Sequence, residues 1–364
     1  MSTDGAPVIT AWTVMSGLGA GAGTLTAGLR SGRSAVTELD PTAWPGPLGH
    51  GAPIPAFTVA GALGRKGTRS MDRATGIAVA TVGMLLDDPE QPVGPTGRRD
   101  LALVLGTGSG SVQSIMDFTR DSLTQDRPYL VDPARFPNTV MNCAAGRCAI
   151  RYGIEGPNST IAAGRLTALH VLRYATRLLR AGHAEAVLCG AVEEFSVQRS
   201  WLEWHARPDG DRLRPLGEGC ALFLLERPFA AARLGGEPLL RVCATAFRGF
   251  QDASAARPAL AECVHEALSR SGAGPADVWA VVPSPHDEET GAAQQGALGD
   301  VLGAATPLWL RPEELIGDTS AAAGAFQLAA VLAEGIPRPT WGRTALVTAI
   351  DAGGLAGCLA VSPL

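Results

Sequence analysis

Residues 156–172, GPNSTIAAGRLTALHVL, combine a short β-rich run, a turn of small residues and the start of a helix. A turn of this kind between a strand and a helix can present one side chain to a pocket, and in many enzymes that side chain is the nucleophile. Here the residue at the apex of the turn is Arg165. A guanidinium stays protonated and has no lone pair with which to attack a carbonyl, so Arg165 cannot act as a nucleophile.

Other reactive side chains are sparse in the sequence. Lys66 is the only lysine, and the seven cysteines form no CxxC pair and lie mostly among apolar residues. We interpret the cysteines as reduced core thiols of a cytoplasmic protein. We expect no metal site and no cofactor. The cysteines are Cys143, Cys148, Cys189, Cys220, Cys243, Cys263 and Cys358.

The composition indicates a globular protein of one large domain or two fused domains. Hydrophobic residues make up 46% of the 364 residues and charged residues 18%, and 45 Gly with 26 Pro predict many tight turns between buried elements. The net charge of −5 argues against a nucleic-acid partner. The first residues lack a basic stretch followed by a long apolar run, and no apolar run is long enough for a membrane span, so we expect neither a signal peptide nor a membrane contact.

The elements that must position the turn alternate between strands and helices. Buried strands are predicted in PVITAWTV, LALVLG and AEAVLCGAVEE, and the stretch MDRATGIAVATVGMLLDD has the apolar spacing of a helix. This alternation predicts an α/β protein with mainly parallel strand pairing.

A similar order of elements returns in the second part of the chain. The helix ALAECVHEALSRSG, the strand VWAVVPSP, the turn and helix TSAAAGAFQLAAVLAEG and a closing strand pair follow one another there. Each part contains a strand, a turn of small residues and a helix, which indicates an internal duplication. A Gly/Pro break at residues 228–238 leads us to divide the chain into an N-terminal half, residues 1–232, and a C-terminal half, residues 233–364.

Several glycine-rich stretches occur in an order that resembles the β-ketoacyl synthase family of the thiolase fold. They are LGTGSGSVQSI, FPNTVMNCAAGRCAIRYGIEGPN, the turn at residues 156–172, AVLCGAVEE, GEGCALFLLE, AAAGA and AGGLAGCLAV. The resemblance extends over nearly the whole chain. It implies an α/β thiolase fold with a duplicated, five-layered α-β-α-β-α architecture.

The resemblance also implies where catalytic residues would lie. Family members carry a Cys at the turn, and counting forward from Gly156 or back from Gly182 places Arg165 at that position. Pro283 or Ser284 stands at the position of the first family His, and Asp318 at that of the second. The family Lys position falls near two carboxylates, Glu313 and Glu314. We therefore expect the inherited catalytic apparatus to be lost.

Two details of this site remain open from the sequence. His286 lies close to the first lost His position and could serve as a base in a rebuilt loop, or it could be a surface residue. Arg165 could pair with an internal carboxylate such as Asp318 or Glu313, which we favour, or it could point towards a subunit interface.

A family member without catalytic residues resembles the chain length factor, or ketosynthase β subunit, of bacterial type II polyketide synthases. Such a factor pairs with a catalytic ketosynthase, and acyl carrier protein delivers the growing chain to the complex. Many chain length factors carry Gln at the Cys position, from which Arg165 departs. The short chain is more similar to factors of highly reducing, polyene-forming systems.

The resemblance places a chain-holding tunnel at the interface with the ketosynthase. Its candidate residues follow the GTGSGS turn or precede AAGRCAI, and each of them could instead be ordinary core. They are Val112, Ile115, Met116, Phe118, Phe136, Thr139, Val140, Met141 and Cys143. Trp201 and Trp204, in the stretch before RPDGDRLRP, could contact a partner or the carrier protein, or pack on their own domain.

Two other functions compete with that of a chain length factor. The chain could be an enzyme with altered chemistry, such as an acyl transferase or decarboxylase that uses His286, Asp318 or Arg165. It could also be a homodimeric acyl-binding protein that has no synthase partner.

Overall fold

A computed structural model describes residues 5–88, 99–207, 214–234, 237–285, 287–336 and 343–364. The strands are β1 (Val8–Ser16), β2 (Gly19–Ala20), β3 (Thr37–Glu38), β4 (His50–Ala52), β5 (Leu101–Gly106), β6 (Asn158–Ile161), β7 (Ala186–Glu193), β8 (Leu216–Gly217), β9 (Gly219–Glu226), β10 (Leu240–Gly249), β11 (Val278–Ser284), β12 (Leu308–Trp309), β13 (Thr344–Asp351) and β14 (Leu355–Pro363). The helices are α1 (Ala22–Ser31), α2 (Val59–Leu63), α3 (Arg73–Leu86), α4 (Val112–Thr124), α5 (Cys143–Tyr152), α6 (Thr167–Arg180), α7 (Val197–Ala206), α8 (Pro228–Leu234), α9 (Ala256–Ser271), α10 (Glu288–Leu302), α11 (Glu313–Ile316) and α12 (Ala323–Gly335).

In the described residues the main sheet has eleven strands: two groups of five strands with the same topology, and β2, which pairs with β1. The first runs in the order β6-β5-β7-β9-β1 and the second in the order β12-β11-β13-β14-β10. In the first group β9 is antiparallel to both of its neighbours, while β5 is parallel to β6 and β7. In the second group β14 and β11 repeat these relations. The shared order and directions confirm the duplication expected from the sequence.

The two groups join where Val8 and Ile9 of β1 pair with Arg241 and Leu240 of β10. We propose that the halves divide after residue 232, in the connection between β9 and β10. Because this connection also contains α8, the Gly/Pro break seen in the sequence is not only a loop.

Alternating residues of each strand face two different apolar cores, which produces five layers. In β7, Val187 and Cys189 face a central core that contains α6 and α12, whereas Ala186 and Leu188 face an outer core with α3 and α5. The second group of strands shares the central core and packs its other face on α9 and α10. The fold is therefore the α/β thiolase fold that the sequence predicts.

Small residues allow the central helices to pack closely. All thirteen residues of α12 are buried, and seven of them are Ala or Gly. The Cα of Gly324 faces Ala168 and Leu169 of α6 so closely that an added Cβ would be in tight contact with both. This approach holds the N-terminal ends of both helices near the same point. In the described part of the chain, no helix is long and apolar enough to cross a membrane.

Candidate functional site

The turn between β6 and α6 is held rigidly by a 3₁₀ turn, Gly164–Leu166. Gly164 has a φ of +52°, and the place that a Cβ would occupy is filled by the carboxylate of Asp351, so only glycine fits there. The Thr167 hydroxyl accepts a hydrogen bond from the Ala163 N–H at 2.9 Å and donates one to the Gly164 carbonyl at 2.7 Å. The turn thus presents the side chain that follows Gly164 at a fixed position.

That side chain is Arg165, which is buried and held by groups from the second half. Its backbone N–H donates to Asp351 Oδ2 at 2.9 Å. Its guanidinium forms an ion pair with Asp318 and donates to Ser284 Oγ at 3.4 Å. Arg165 is only 6% exposed and Asp318 9%. The favoured expectation of an internal carboxylate partner is confirmed, with Asp318 as the residue that forms the ion pair.

The residues predicted to replace the catalytic ones meet at one point. Ser284, at the end of β11, contacts Arg165, whereas Pro283 lies beside Thr348 in the sheet. Of the two candidates for the first His position, Ser284 therefore faces the turn. His286 lies outside the described residues.

Asp318 is charged at any physiological pH. Burial raises its pKa, but the positive charges of Arg165 and Arg199, together with the Ser320 N–H, outweigh burial and lower the pKa to about 2. Arg199 is fixed nearby because its guanidinium donates to the carbonyls of Glu194, Gly217 and Asp318 at 2.7, 2.9 and 3.1 Å. The pair between Arg165 and Asp318 is therefore ionised, as a buried pair of opposite charges requires.

A pocket of about 240 Å³ opens beside this pair. Its described lining contains neither Cys nor His nor Lys and consists of Val36, Arg165, Arg214, Pro215, Pro285, Glu313, Glu314, Gly317 and Asp318. Withdrawal from water raises the pKa of Glu313 to about 7, and the neighbouring charge of Glu314 acts in the same direction. The pocket can bind polar groups, but these side chains offer no thiolate or imidazole for acyl transfer.

The candidate tunnel residues lie together, on α4, on the 3₁₀ turn Pro133–Thr139 and at the start of α5. Four of them are exposed: Met116 by 38%, Phe136 by 58%, Val140 by 42% and Met141 by 43%. The ring of Phe118 lies 6.0 Å from that of Phe136. We call the nine candidate residues the α4 face. An exposed apolar surface of this kind is typical of a site that another molecule covers.

Helix α7 adjoins α4, because Gln198 donates a hydrogen bond to Asp117 Oδ1 at 3.0 Å. Trp201 is 41% exposed and stacks on His205, and the guanidinium of Arg207 lies over the Trp204 ring at 3.9 Å. Residues 208–213 of the RPDGDRLRP stretch lie outside the described residues.

Sequence reasoning missed three charged residues around the site, of which Arg199 and Glu218 are buried and Asp351 is half-buried. Asp351 supports the turn, Arg199 holds Asp318, and Glu218 accepts hydrogen bonds from Arg73 and from the N–H groups of Ile54 and Phe195. Asp351 stands before two glycines at a strand end, which is a turn signal, but nothing in the sequence links it to Arg165.

Comparisons with known proteins agree with the observed fold. The family model for the N-terminal domain of β-ketoacyl synthases matches residues 7–207. A solved structure described as the ishigamide ketosynthase/chain length factor is 37% identical, with a TM-score of 0.92 over 99% of this chain and 100% of that one. A type II polyketide synthase ketosynthase in complex with its acyl carrier protein is 17% identical, with a TM-score of 0.81 over 99% of this chain and 100% of that one, and it shows the same fold.

Curated relatives are matched over shorter stretches. The 3-oxoacyl-[acyl-carrier-protein] synthase 2 of Vibrio harveyi is 28% identical over 135 residues, which are 37% of this chain and 32% of that protein. The first four such relatives are each matched over less than half of their own length.

Proposed function

Because the chain belongs to the β-ketoacyl synthase family, we propose that it is a non-catalytic chain length factor, the ketosynthase β subunit of a type II polyketide synthase. The observation that carries this proposal is the buried ion pair of Arg165 and Asp318. It occupies the point where strand, turn and helix would otherwise present a nucleophile.

The chemistry of this ion pair argues against acyl transfer. A thioester carbonyl is attacked by a thiolate, and the resulting oxyanion needs hydrogen-bond donors around it. Arg165 cannot attack, and the charged carboxylate of Asp318 would repel a developing oxyanion. A rerouted acyl transferase or decarboxylase would need another reactive group, and the described lining of the pocket supplies none.

The α4 face supports a role in association. Its exposed apolar side chains suit a partner that buries them, and its Met side chains suit a cavity of adjustable shape. In this proposal a catalytic ketosynthase covers the α4 face, and the two subunits enclose the growing chain that acyl carrier protein delivers. A homodimeric acyl-binding protein would need no ketosynthase.

The product and the compartment are part of the same proposal. The short chain, which resembles factors of highly reducing systems, favours a reduced polyene product, as in antibiotic biosynthesis, over an aromatic one. All seven cysteines are free thiols, which supports action in the reducing cytoplasm.

Co-expression with a ketosynthase tests this function. We expect a stable heterodimer whose products become shorter with Ile115→Phe or Met141→Phe and longer with Ile115→Ala or Met141→Ala, because these side chains would set the space for the chain. Phe229→Ala is a matched control, since Phe229 is an apolar residue that is 82% exposed on α8 and does not belong to the α4 face. Product length is measured by mass spectrometry.

Two results would contradict the proposal. Unchanged products in all four variants, with the heterodimer intact, would remove the tunnel assignment. Synthase activity of the isolated chain that survives Arg165→Ala and His286→Ala would show that the chain is an enzyme by itself.

A further inference from the structure

A cleft of about 610 Å³ lies between α6 and β10, and neither Arg165 nor Asp318 is among its lining residues. Five arginines and one glutamate are the charged residues that line it. We call this cavity the basic cleft. Its arginines are Arg173, Arg177, Arg180, Arg248 and Arg270.

Three of these positive charges are not balanced. Glu266 forms ion pairs with Arg248 at 2.7 Å and with Arg270 at 3.1 Å. By contrast, no carboxylate of the described residues lies within ion-pair distance of Arg173, Arg177 or Arg180, which contact aromatic rings or solvent instead. Arg173 lies 5.3 Å from the Phe247 ring and Arg177 4.8 Å from the Tyr174 ring.

The three arginines form a row on one face of α6. Their spacing of four and three residues places them on the same side of the helix, along about 10 Å of its length. The chain as a whole carries a net charge of −5, so this row is a local excess of positive charge in an acidic protein. An acidic surface is complementary to it.

Uncharged polar atoms in the cleft also lack partners. The Nε2 atom of His170 and the Oγ1 atom of Thr176 are buried without a hydrogen bond, although both residues line the cleft. The His170 ring is fixed by stacking on Phe247 with 4.0 Å between the centroids. Buried polar groups are rarely left unsatisfied, so a polar occupant of this cleft would supply hydrogen-bond partners for both atoms.

The cleft adjoins two strand edges. Ile161, the last residue of β6, lines the cleft, and in the described residues β6 pairs with β5 alone. On the other side of the cleft, the described part of β10 is hydrogen-bonded to the β1 segment at its start, up to Val242, whose N–H donates to the Pro7 carbonyl at 2.9 Å. Open strand edges favour the addition of another chain. A second subunit that docks here would bring its own side chains into the basic cleft.

We propose that the basic cleft receives acidic side chains of the partner ketosynthase and selects that partner over a second copy of this chain. The inference rests on the proposed function. In a symmetric homodimer the same surface meets itself, so two rows of arginines would face each other and repel. A partner with carboxylates at the matching position replaces this repulsion by attraction.

The test compares charge reversals in the full chain. We expect Arg173→Glu with Arg177→Glu to weaken binding to the co-purified ketosynthase about tenfold or more at low salt, and the difference to shrink as NaCl is added. Arg257→Glu with Arg311→Glu is the matched control, because these exposed arginines lie outside the cleft. We expect the control to change binding by about twofold at most. Affinity is measured by calorimetry and oligomeric state by native mass spectrometry.

Several results would overturn the inference. One is equal affinity of both double variants for the ketosynthase. Another is inorganic pyrophosphate that binds the isolated chain and stays bound in the heterodimer, because the cleft would then be a small-anion site. If the charge reversal prevents folding, the affinity of Arg173→Gln with Arg177→Gln for the ketosynthase is measured instead, together with the salt dependence of the unmodified complex. A Kd that does not change with salt contradicts the inference. Absence of any complex overturns the proposed function as well, whereas an intact complex with unaffected variants overturns this inference alone.

Discussion

Arg165 brings a permanent positive charge to the N-terminal end of α6, where the helix dipole is also positive. A thiolate would be stabilised at this position, but a guanidinium is not. Two carboxylates compensate: Asp351 accepts from the backbone N–H of Arg165, and Asp318 pairs with its side chain. The buried charges of Arg165 and Asp318 therefore depend on each other physically.

This dependence predicts a large effect of removing one partner. We expect Arg165→Ala to lower the free energy of unfolding by about 3–5 kcal/mol, because Asp318 would remain buried and charged without its partner. The control is Arg257→Ala, which breaks an exposed pair with Asp300 and should cost about 1 kcal/mol or less. Urea unfolding followed by circular dichroism measures both.

A second variant separates charge from volume. Arg165→Met combined with Asp318→Leu removes both charges while keeping most of the apolar volume, and we expect it to cost less than Arg165→Ala. If Arg165→Ala were as mild as Arg257→Ala, the pair would not be a buried structural element.

Two similar 3₁₀ turns, each before a central helix, face each other. The first precedes α6, and the second, the 3₁₀ turn Ser320–Ala322, precedes α12. Ser320 has a φ of +46°, which is unusual for a residue other than Gly, and its N–H donates to Asp318 Oδ1 at 2.7 Å. Asp318 thus supports the backbone of the second turn while it neutralises the first.

The first turn depends on Gly164 for space as well as for backbone conformation. We expect Gly164→Ala to destabilise the protein by about 1–3 kcal/mol more than Gly182→Ala, because the new methyl group would collide with the Asp351 carboxylate. Gly182 is a matched control: its φ is +71°, but a Cβ there would meet open space. Equal unfolding free energies of the two variants would show that Asp351 moves away without cost.

The sequence predicts the elements of this fold better than it predicts the contacts of the site. Strand β7 and helix α6 have clear apolar patterns, and family spacing locates Arg165 and Asp318. Which of Pro283 and Ser284 faces Arg165 depends on the sheet register at the end of β11, which composition does not determine. Likewise α8 lies in a Gly/Pro-rich stretch whose local signal is that of a loop.

Buried charges join elements of the protein that are distant in sequence. Arg165 and Asp318 join the two halves, and Arg73 pairs with Glu218 within the first half. Glu193 and Glu194, at the end of β7, are also buried, but burial outweighs the hydrogen bonds and positive charge near them and raises the pKa of each to about 7. Ionisation of these two carboxyl groups is therefore less favourable in the folded protein than in the unfolded chain.

Their raised pKa values predict how stability depends on pH. Each Glu has a pKa of 4.5 in the unfolded chain and about 7 in the folded protein. Its contribution to the free energy of unfolding is therefore fully present below pH 4.5. That contribution is lost as the pH rises through 7. Because one pKa unit corresponds to about 1.4 kcal/mol, each group changes the free energy of unfolding by about 3 kcal/mol over this range. Asp318 acts in the opposite direction only at acidic pH, because its lowered pKa stabilises the fold above about pH 4 and that stability is lost towards pH 2.

Glu194→Gln tests this pH dependence directly. Glu194 accepts hydrogen bonds from Ser111 Oγ at 3.0 Å through Oε2 and from the Gln113 N–H at 2.9 Å through Oε1. In Glu194→Gln the amide oxygen can still accept from the Gln113 N–H, and the amide NH2 can donate to Ser111 Oγ. We expect the variant to lose less unfolding free energy than the parent protein between pH 5 and pH 8 in urea titrations. Glu262→Gln, an exposed residue paired with Arg248, should retain the parent slope. A parental slope in Glu194→Gln would mean that the Glu194 carboxyl ionises in the folded protein as easily as in the unfolded chain, so another group would have to carry the dependence.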